Sequence, residues 1–312
     1  MTAIFWIVIF IIATYALVKG GDYLVEGAES VGRYFRLPTF VIGALIVGIG
    51  TSLPEFASSI AAVLSNEGEI VLANTVGSNV ANILLVAGLS AVVGRQIVST
   101  INLVNLEAPL LALSTALFVA VSYDGLVSQI EALLVLVAFV TYVCYLLFHE
   151  QETPKEQKLE KRHPIKRRDI AMLVGGSILL FVGARYLITA VIALSQIFEI
   201  APGVIAVSAI ALGTSLPEVL VSVTAVLKGK TDLAFGNVFG SNVFNMLMIT
   251  GAIGVFTPLV VDPQTLAIGI PFLVVSTVLF IISTLTLRIY LWEGLMFLNF
   301  YLFFILKIFG VI

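Results

Sequence analysis

The sequence predicts an all-α polytopic membrane protein, with ten transmembrane helices in two inverted five-helix repeats and helices 2, 3, 7 and 8 broken. Three observations predict it. The chain is 60% hydrophobic and 11% charged, with a mean hydropathy of +1.12, too apolar for a soluble globule. A hexapeptide, Gly50-Thr51-Ser52-Leu53-Pro54-Glu55, recurs as Gly213-Thr214-Ser215-Leu216-Pro217-Glu218, each copy inside a long apolar run. Lys and Arg crowd loops of one parity only, as charge bias across a bilayer requires.

The first five spans are expected near Thr2 to Tyr34, Phe40 to Leu64, Ile70 to Val93, Leu106 to Val121 and Gln129 to Leu147. The amino terminus lacks a basic start and a small-residue cleavage site, so Ala3 to Val18 reads as a retained span. Continuous to Tyr34, that helix would be about 50 Å long against a hydrocarbon core of about 30 Å, so it must tilt or project. A polar segment, Glu150 to Arg168, separates the halves. The second five spans are expected near Ile170 to Phe198, Pro202 to Leu227, Leu233 to Phe256, Thr265 to Leu285 and Tyr290 to Ile312. The domain reading is therefore 1–149, a basic loop at 150–168, and 169–312.

Sliding the chain by 163 residues lays Val41 to Glu55 on Val204 to Glu218, and Glu69 to Gly88 on Asp232 to Gly251, without a gap. Each half holds an odd number of spans, so the second enters the membrane upside down, which is an inverted-topology repeat. Lys155, Lys158, Lys161, Arg162, Lys166, Arg167 and Arg168 place the central loop in the cytoplasm and both termini outside. Lys307, near the outward carboxyl end, is the poor fit and is read as snorkelling. The expected location is the cytoplasmic membrane, with the lipid bilayer as the main partner and no nucleic acid. The oligomeric state is left open, and a monomer is compatible with every feature. The single Cys144 excludes a disulfide within the chain.

The hexapeptide makes a site by helix physics alone. Pro54 cannot donate to the carbonyl of Gly50, so the helix kinks and carbonyls near Gly48 to Thr51 are expected to be free; Pro217 does the same near Ala211 to Thr214. Glu55 and Glu218 follow one turn on. In the third span Asn74, Ser78 and Asn82 recur at i, i+4 and i+8 as one polar stripe beside Gly77, and Asn237, Ser241 and Asn245 repeat it. Such residues often serve as interhelical glue. Duplicated in step with two buried acids, they read as part of a cation site. The donors are oxygen only, which suits Ca2+ or Na+, whereas zinc or copper calls for His or Cys. Asp22 and Arg185 occupy equivalent positions and are read as an ion pair, an access-path flank or helix-end snorkelling. His149 and His163 are read as solvent-exposed loop residues.

These residues resemble the alpha repeats of the calcium/cation antiporters, in particular the prokaryotic sodium/calcium exchangers. The resemblance rests on the twin hexapeptides and on the stripes at Ala73 to Asn82 and Gly236 to Asn245. It implies a Ca2+ site of Glu55 and Glu218 carboxylates with Thr51 and Thr214 carbonyls. It implies Na+ ligands from the Gly48 and Ala211 carbonyls and from Ser52, Ser215, Ser78 and Ser241, with Asn82 and Asn245 beside the central position and Asn74 and Asn237 accessory. It further implies that the first and sixth helices slide on the rest, for which Gly20, Gly21 and Gly183 suit a smooth face. Some relatives carry Asp where this chain has Asn245, which disfavours K+ co-transport.

The function expected is therefore secondary active exchange of Na+ for Ca2+ by alternating access, with no enzymatic activity and no cofactor beyond the transported ions. Two carboxylates neutralise one Ca2+, so exchange against three Na+ would carry one net charge, coupled to voltage at about 2.3 kcal/mol per 100 mV. H+/Ca2+ exchange is the nearest alternative, because buried carboxylates also carry protons. A cation channel fits an inverted repeat poorly. An intramembrane hydrolase would need His-Glu-x-x-His, paired aspartates or a Ser-His partnership, which the spans lack.

Overall fold

The computed structural model describes residues 3–103, 107–148, 164–198 and 215–312. Within them the chain forms α1 (Ala3–Tyr34), α2 (Thr39–Leu64), α3 (Glu69–Gly94), β1 (Gln96–Val98), α4 (Glu107–Ser122), β2 (Leu126–Val127) and α5 (Gln129–Phe148). It continues with α6 (Arg167–Ile197), α7 (Leu216–Leu227), α8 (Thr231–Gly254), β3 (Leu259–Val260), α9 (Thr265–Thr284), β4 (Arg288–Tyr290) and α10 (Leu291–Ile308). Eight of these helices are long and apolar enough to cross a membrane, and α4 and α7 are shorter apolar helices. The chain is thus an all-helical polytopic membrane protein. Residues 202–214 of the expected seventh span, most of the central basic loop, His149 and His163 lie outside the described residues.

The expected breaks take two forms. In α2 the helix is interrupted at Ser52 (φ −89°, ψ 3°), just ahead of Pro54. Helices α3 and α8, expected to be broken, instead run on through wide π turns at Asn82–Ala87 and Phe244–Ile249. Neither has a proline there, so no backbone donor is lost, and a π turn loosens the ladder without ending it. A further π turn at Thr265–Gly269 in α9 does precede a proline, Pro271.

Enclosure ranks the helices. The apolar window of α8 is 94% buried and that of α3 72%, against 17% for α1 and 22% for α6, so the core lies around α3 and α8. Helices α2 and α8 touch backbone to backbone. A Cβ on Gly236 would lie 2.1 Å from the Phe40 carbonyl oxygen, and one on Gly240 2.2 Å from that of Ala44, distances no side chain tolerates. Phe40 and Phe239 close the same crossing edge to face, with ring centroids 5.8 Å apart.

On the periphery α1 and α6 pack as a pair. Gly20 and Gly183, expected on the face that slides on the other helices, lie instead between α1 and α6, joined there by Gly27 and Gly176, each with the partner helix's backbone within about 3 Å of an added Cβ. Of the three expected glycines only Gly21 faces another helix of the rest, turning toward Thr224 and Leu220 of α7. The strands lace the halves together: β1, after α3, pairs antiparallel with β4, before α10, while β3, after α8, pairs antiparallel with β2, before α5.

Asp22 is bound to α7 and the turn after it rather than to Arg185. Lys228 Nζ lies 2.9 Å from Asp22 Oδ1 and 3.1 Å from Glu26 Oε1, and Lys230 pairs with Glu29. Burial works against the Lys228 charge, but the two carboxylates outweigh it and hold the ammonium above its ordinary lysine value. These pairs are only partly shielded from solvent, so together they are expected to contribute about 1 kcal/mol. Lys228→Gln is therefore expected to lower Tm slightly in low salt and to lose that deficit in high salt, as a thermal-unfolding series from 20 to 500 mM salt would read. An identical deficit at all salt concentrations would mean that packing, not charge, holds α1 there.

Candidate cation-binding site

The site grows from the interruption in α2. A π turn, Ile42–Val47, leads into Gly48–Thr51, the chain bends at Ser52, and α2 resumes at Leu53 with Pro54 and Glu55 in its first turn. Helix α7 starts in the same way, with Ser215 (φ −90°, ψ 4°) capping Leu216, Pro217 and Glu218. One expectation fails in detail. The Gly48 carbonyl is not stripped of its helical partner, because Ser52 N–H donates to it at 3.1 Å, as in an intact turn. It becomes a site group by sharing, since a carbonyl oxygen has two lone pairs and Ser241 Oγ reaches it at 3.2 Å.

The two halves meet through side chains. Ser52 Oγ donates to Glu218 Oε1 at 3.3 Å, and the Thr51 hydroxyl is a second neighbour of that carboxylate. Thr51 Oγ1 also lies 3.3 Å from Asn237 Oδ1, 3.1 Å from the Val47 carbonyl and 3.2 Å from that of Gly48. Asn237 Nδ2 donates to Ser222 Oγ at 2.8 Å and faces the Glu218 carbonyl at 3.4 Å. Glu55 and Glu218 are each 1% exposed and close enough to repel one another.

Many of the polar atoms here are left over. Both carboxylate oxygens of Glu55, Glu218 Oε2, and the whole amide groups of Asn82 and Asn245 are buried without a hydrogen-bond partner among the described residues. A buried polar group without a partner costs about 1–3 kcal/mol, and more when charged. Alongside the two amide NH2 groups, the unpartnered oxygens are three from carboxylates and two from amides, and a cation is what such oxygens lack. Among the described residues no cluster of three or more His, Cys, Asp or Glu occurs, so the charge comes from two acids and the remaining donors are neutral oxygens, a set suited to Ca2+ or Na+.

Thr51, Ser52, Glu55, Ser78, Asn82, Ser215, Glu218, Asn237, Ser241 and Asn245 are all buried, as is Gly48, while Asn74 is half-buried. The bonds just described join Gly48, Thr51, Ser52, Glu218, Asn237 and Ser241 into one network. Thr214 and Ala211 lie outside the described residues. Sequence reasoning missed Ser222, although it sits one turn after Glu218, and its counterpart Ser59 one turn after Glu55; both are buried. The 163-residue repeat was the signal that could have found them. Asn79 and Asn242, matched in the repeat but not chosen, are fully buried as well.

A family model described as "Sodium/calcium exchanger protein" matches residues 5–148 and 169–310. The sodium/calcium exchanger MaX1 of Methanosarcina acetivorans is 31% identical, with 95% of this chain and 96% of that protein covered. An inner membrane protein of Escherichia coli, YrbG, is 31% identical over 81% of this chain and 80% of its own length. The solved structure of the sodium-calcium exchanger NCX_Mj soaked with 2.5 mM Na+ and 10 mM Sr2+ superposes with a TM-score of 0.82 at 28% identity, covering 97% of this chain and 98% of that one.

Proposed function

The chain belongs to the sodium/calcium exchanger family, and from that membership we propose that it is a Na+/Ca2+ antiporter working by alternating access, with Ca2+ and Na+ competing for the oxygen set around Glu55 and Glu218. The observation that carries this reading is the group of buried carboxylate and amide oxygens without hydrogen-bond partners on α2, α3, α7 and α8. Ca2+ is assigned to the Glu55 and Glu218 carboxylates with the Thr51 and Thr214 carbonyls. Na+ is assigned to the Gly48 and Ala211 carbonyls and to Ser52, Ser215, Ser78 and Ser241, with Asn82 and Asn245 at the centre and Asn74 and Asn237 beside them. Desolvating a divalent cation without two compensating charges is prohibitive, which is why both acids are required.

Alternating access asks for two equivalent halves, 1–149 and 169–312, of opposite orientation. Supporting it, Leu53–Leu64 and Leu216–Leu227 repeat at 163 residues at both ends, and the β1–β4 and β2–β3 pairs exchange roles between the halves. Ten crossings follow from the apolar runs, and termini outside with a cytoplasmic central loop from the placement of Lys and Arg. The α1–α6 pair, little enclosed and packed on itself by glycines, is suited to slide as a unit.

The neutral hydroxyls and carbonyls favour Na+ over H+ as counter-ion, because proton carriage gains nothing from groups that do not titrate. Proteoliposomes loaded with Na+ are expected to take up 45Ca2+ on dilution into Na+-free buffer, with protonophore present and without K+. Uptake that follows an imposed pH gradient and ignores Na+ would establish H+/Ca2+ exchange instead.

A further inference from the structure

Asn237 is fully buried and contacts both halves, and its orientation can be read from its neighbours. The Glu218 carbonyl can only accept a hydrogen bond, so the amide edge facing it, 3.4 Å away, must be the NH2 group. The same NH2 reaches Ser222 Oγ at 2.8 Å, the shortest contact the side chain makes. Its carbonyl oxygen therefore points the other way, to Thr51 Oγ1 at 3.3 Å and Ser241 Oγ at 3.5 Å. Those two hydroxyls hold one proton each. Within reach of the pair stand the Val47 carbonyl, the Gly48 carbonyl and Asn237 Oδ1, three acceptors for two protons. The Glu218 carboxylate is a further neighbour of the Thr51 hydroxyl, so these two protons are shared among more oxygens than they can serve at once, although the Gly48 carbonyl also receives Ser52 N–H.

We propose that Ser222 is a positioning residue for Na+: it fixes the Asn237 amide so that Oδ1 joins the Gly48 carbonyl, Thr51 Oγ1 and Ser241 Oγ in a neutral oxygen cage. This rests on the Na+/Ca2+ reading and deepens it. Without the Ser222 hydroxyl, the amide loses its shortest contact and is held only by the longer one to the Glu218 carbonyl, so its NH2 turns more readily into the cage, where a donor repels a cation. Ser222 touches no cage oxygen itself, so its influence runs through Asn237. The Ca2+ ligand set leans on the carboxylates, so Ca2+ should feel the change less. In the first half the equivalent contact is not made, since Ser59 Oγ and Asn74 Nδ2 are both without partners among the described residues. The fixed amide is thus specific to the second half.

The test is equilibrium 22Na+ and 45Ca2+ binding to purified full-length protein carrying Ser222→Ala or Ser222→Cys, with Tm recorded for each. Sulfur is a weak acceptor of nearly the same shape, so Na+ affinity is expected to fall in the order Ser, Cys, Ala, reaching about tenfold, as for other outer-shell partners of metal sites. Ca2+ affinity in Na+-free buffer should change by a smaller factor. If the Ala variant does not fold, the Cys variant carries the comparison. A variant that binds Na+ as the unaltered protein does, or loses Na+ and Ca2+ affinity in equal proportion, overturns the positioning role. An unaltered chain that binds Ca2+ but no Na+ overturns the exchange reading, and the positioning role with it.

Discussion

Glu218→Gln, reconstituted in liposomes, is expected to take up no Na+-driven 45Ca2+ above background, and Glu55→Gln is expected to behave alike. Each substitution keeps the size of the side chain and removes one negative charge from a place that is 1% exposed. A divalent cation there would face a single carboxylate, and the loss of one partner from a buried charged set costs about 3–5 kcal/mol. At 1.4 kcal/mol per tenfold, that is a drop in affinity of about a hundredfold or more. The glutamine NH2 adds a second injury, because it brings a donor into a region already selected for acceptors. The two acids are not identically placed, since Glu218 Oε1 receives Ser52 Oγ whereas Glu55 has no partner among the described residues. Equal loss from both variants would therefore reflect a shared ion rather than shared packing. Full Na+-dependent flux in either would remove that acid from the site.

The second large effect is expected at Gly240. A Cβ there would sit 2.2 Å from the Ala44 carbonyl oxygen and 2.5 Å from its Cα, both backbone atoms of α2. Backbone cannot rotate aside as a side chain does, so the α2–α8 crossing must open by about an ångström or more. That crossing holds the Gly48 carbonyl against Ser241 Oγ. Gly240→Val is thus expected to lower Tm by the several degrees that correspond to overpacking costs of about 1–3 kcal/mol, and to abolish Na+ binding. Gly77→Ala supplies the contrast, because an added Cβ meets nothing within 4 Å. It should leave Tm unchanged or raise it, helped by the lower entropy of the unfolded chain. Thermal unfolding of the two variants in one detergent decides the matter, and a Gly240→Val protein as stable as the parent would mean that the crossing is looser than the geometry implies.

Much of this architecture was legible because the chain states it twice. The repeated hexapeptide located both acids, and the apolar runs located the helices to within about three residues at most ends. The polar stripe of α8 was readable because Asn237, Ser241 and Asn245 fall on one helical face. Other features leave no such mark. The π turns in α3 and α8 lie in ordinary apolar sequence, and only packing reveals them. The four strands are two or three residues long, too short for any periodicity. Ser222 escaped because a lone serine in an apolar helix normally bonds its own preceding turn. Gly27 and Gly176 escaped for a related reason: a glycine announces a close approach but not to what. The partner of Asp22 is not legible, because the 163-residue shift aligns it with Arg185, one of whose readings is an ion pair, while Lys228, which has no charged counterpart in the first half, is what reaches it.

Na+/Ca2+ exchange by this chain requires one pocket to which Glu55 and Glu218 both contribute. Equilibrium 45Ca2+ binding to purified protein, with Na+ as competitor, addresses it directly: one Ca2+ per chain, displaced fully by Na+, and lost alike in Glu55→Gln and Glu218→Gln. Two Ca2+ per chain, with each variant giving up one and keeping the other, would mean that the acids serve separate sites.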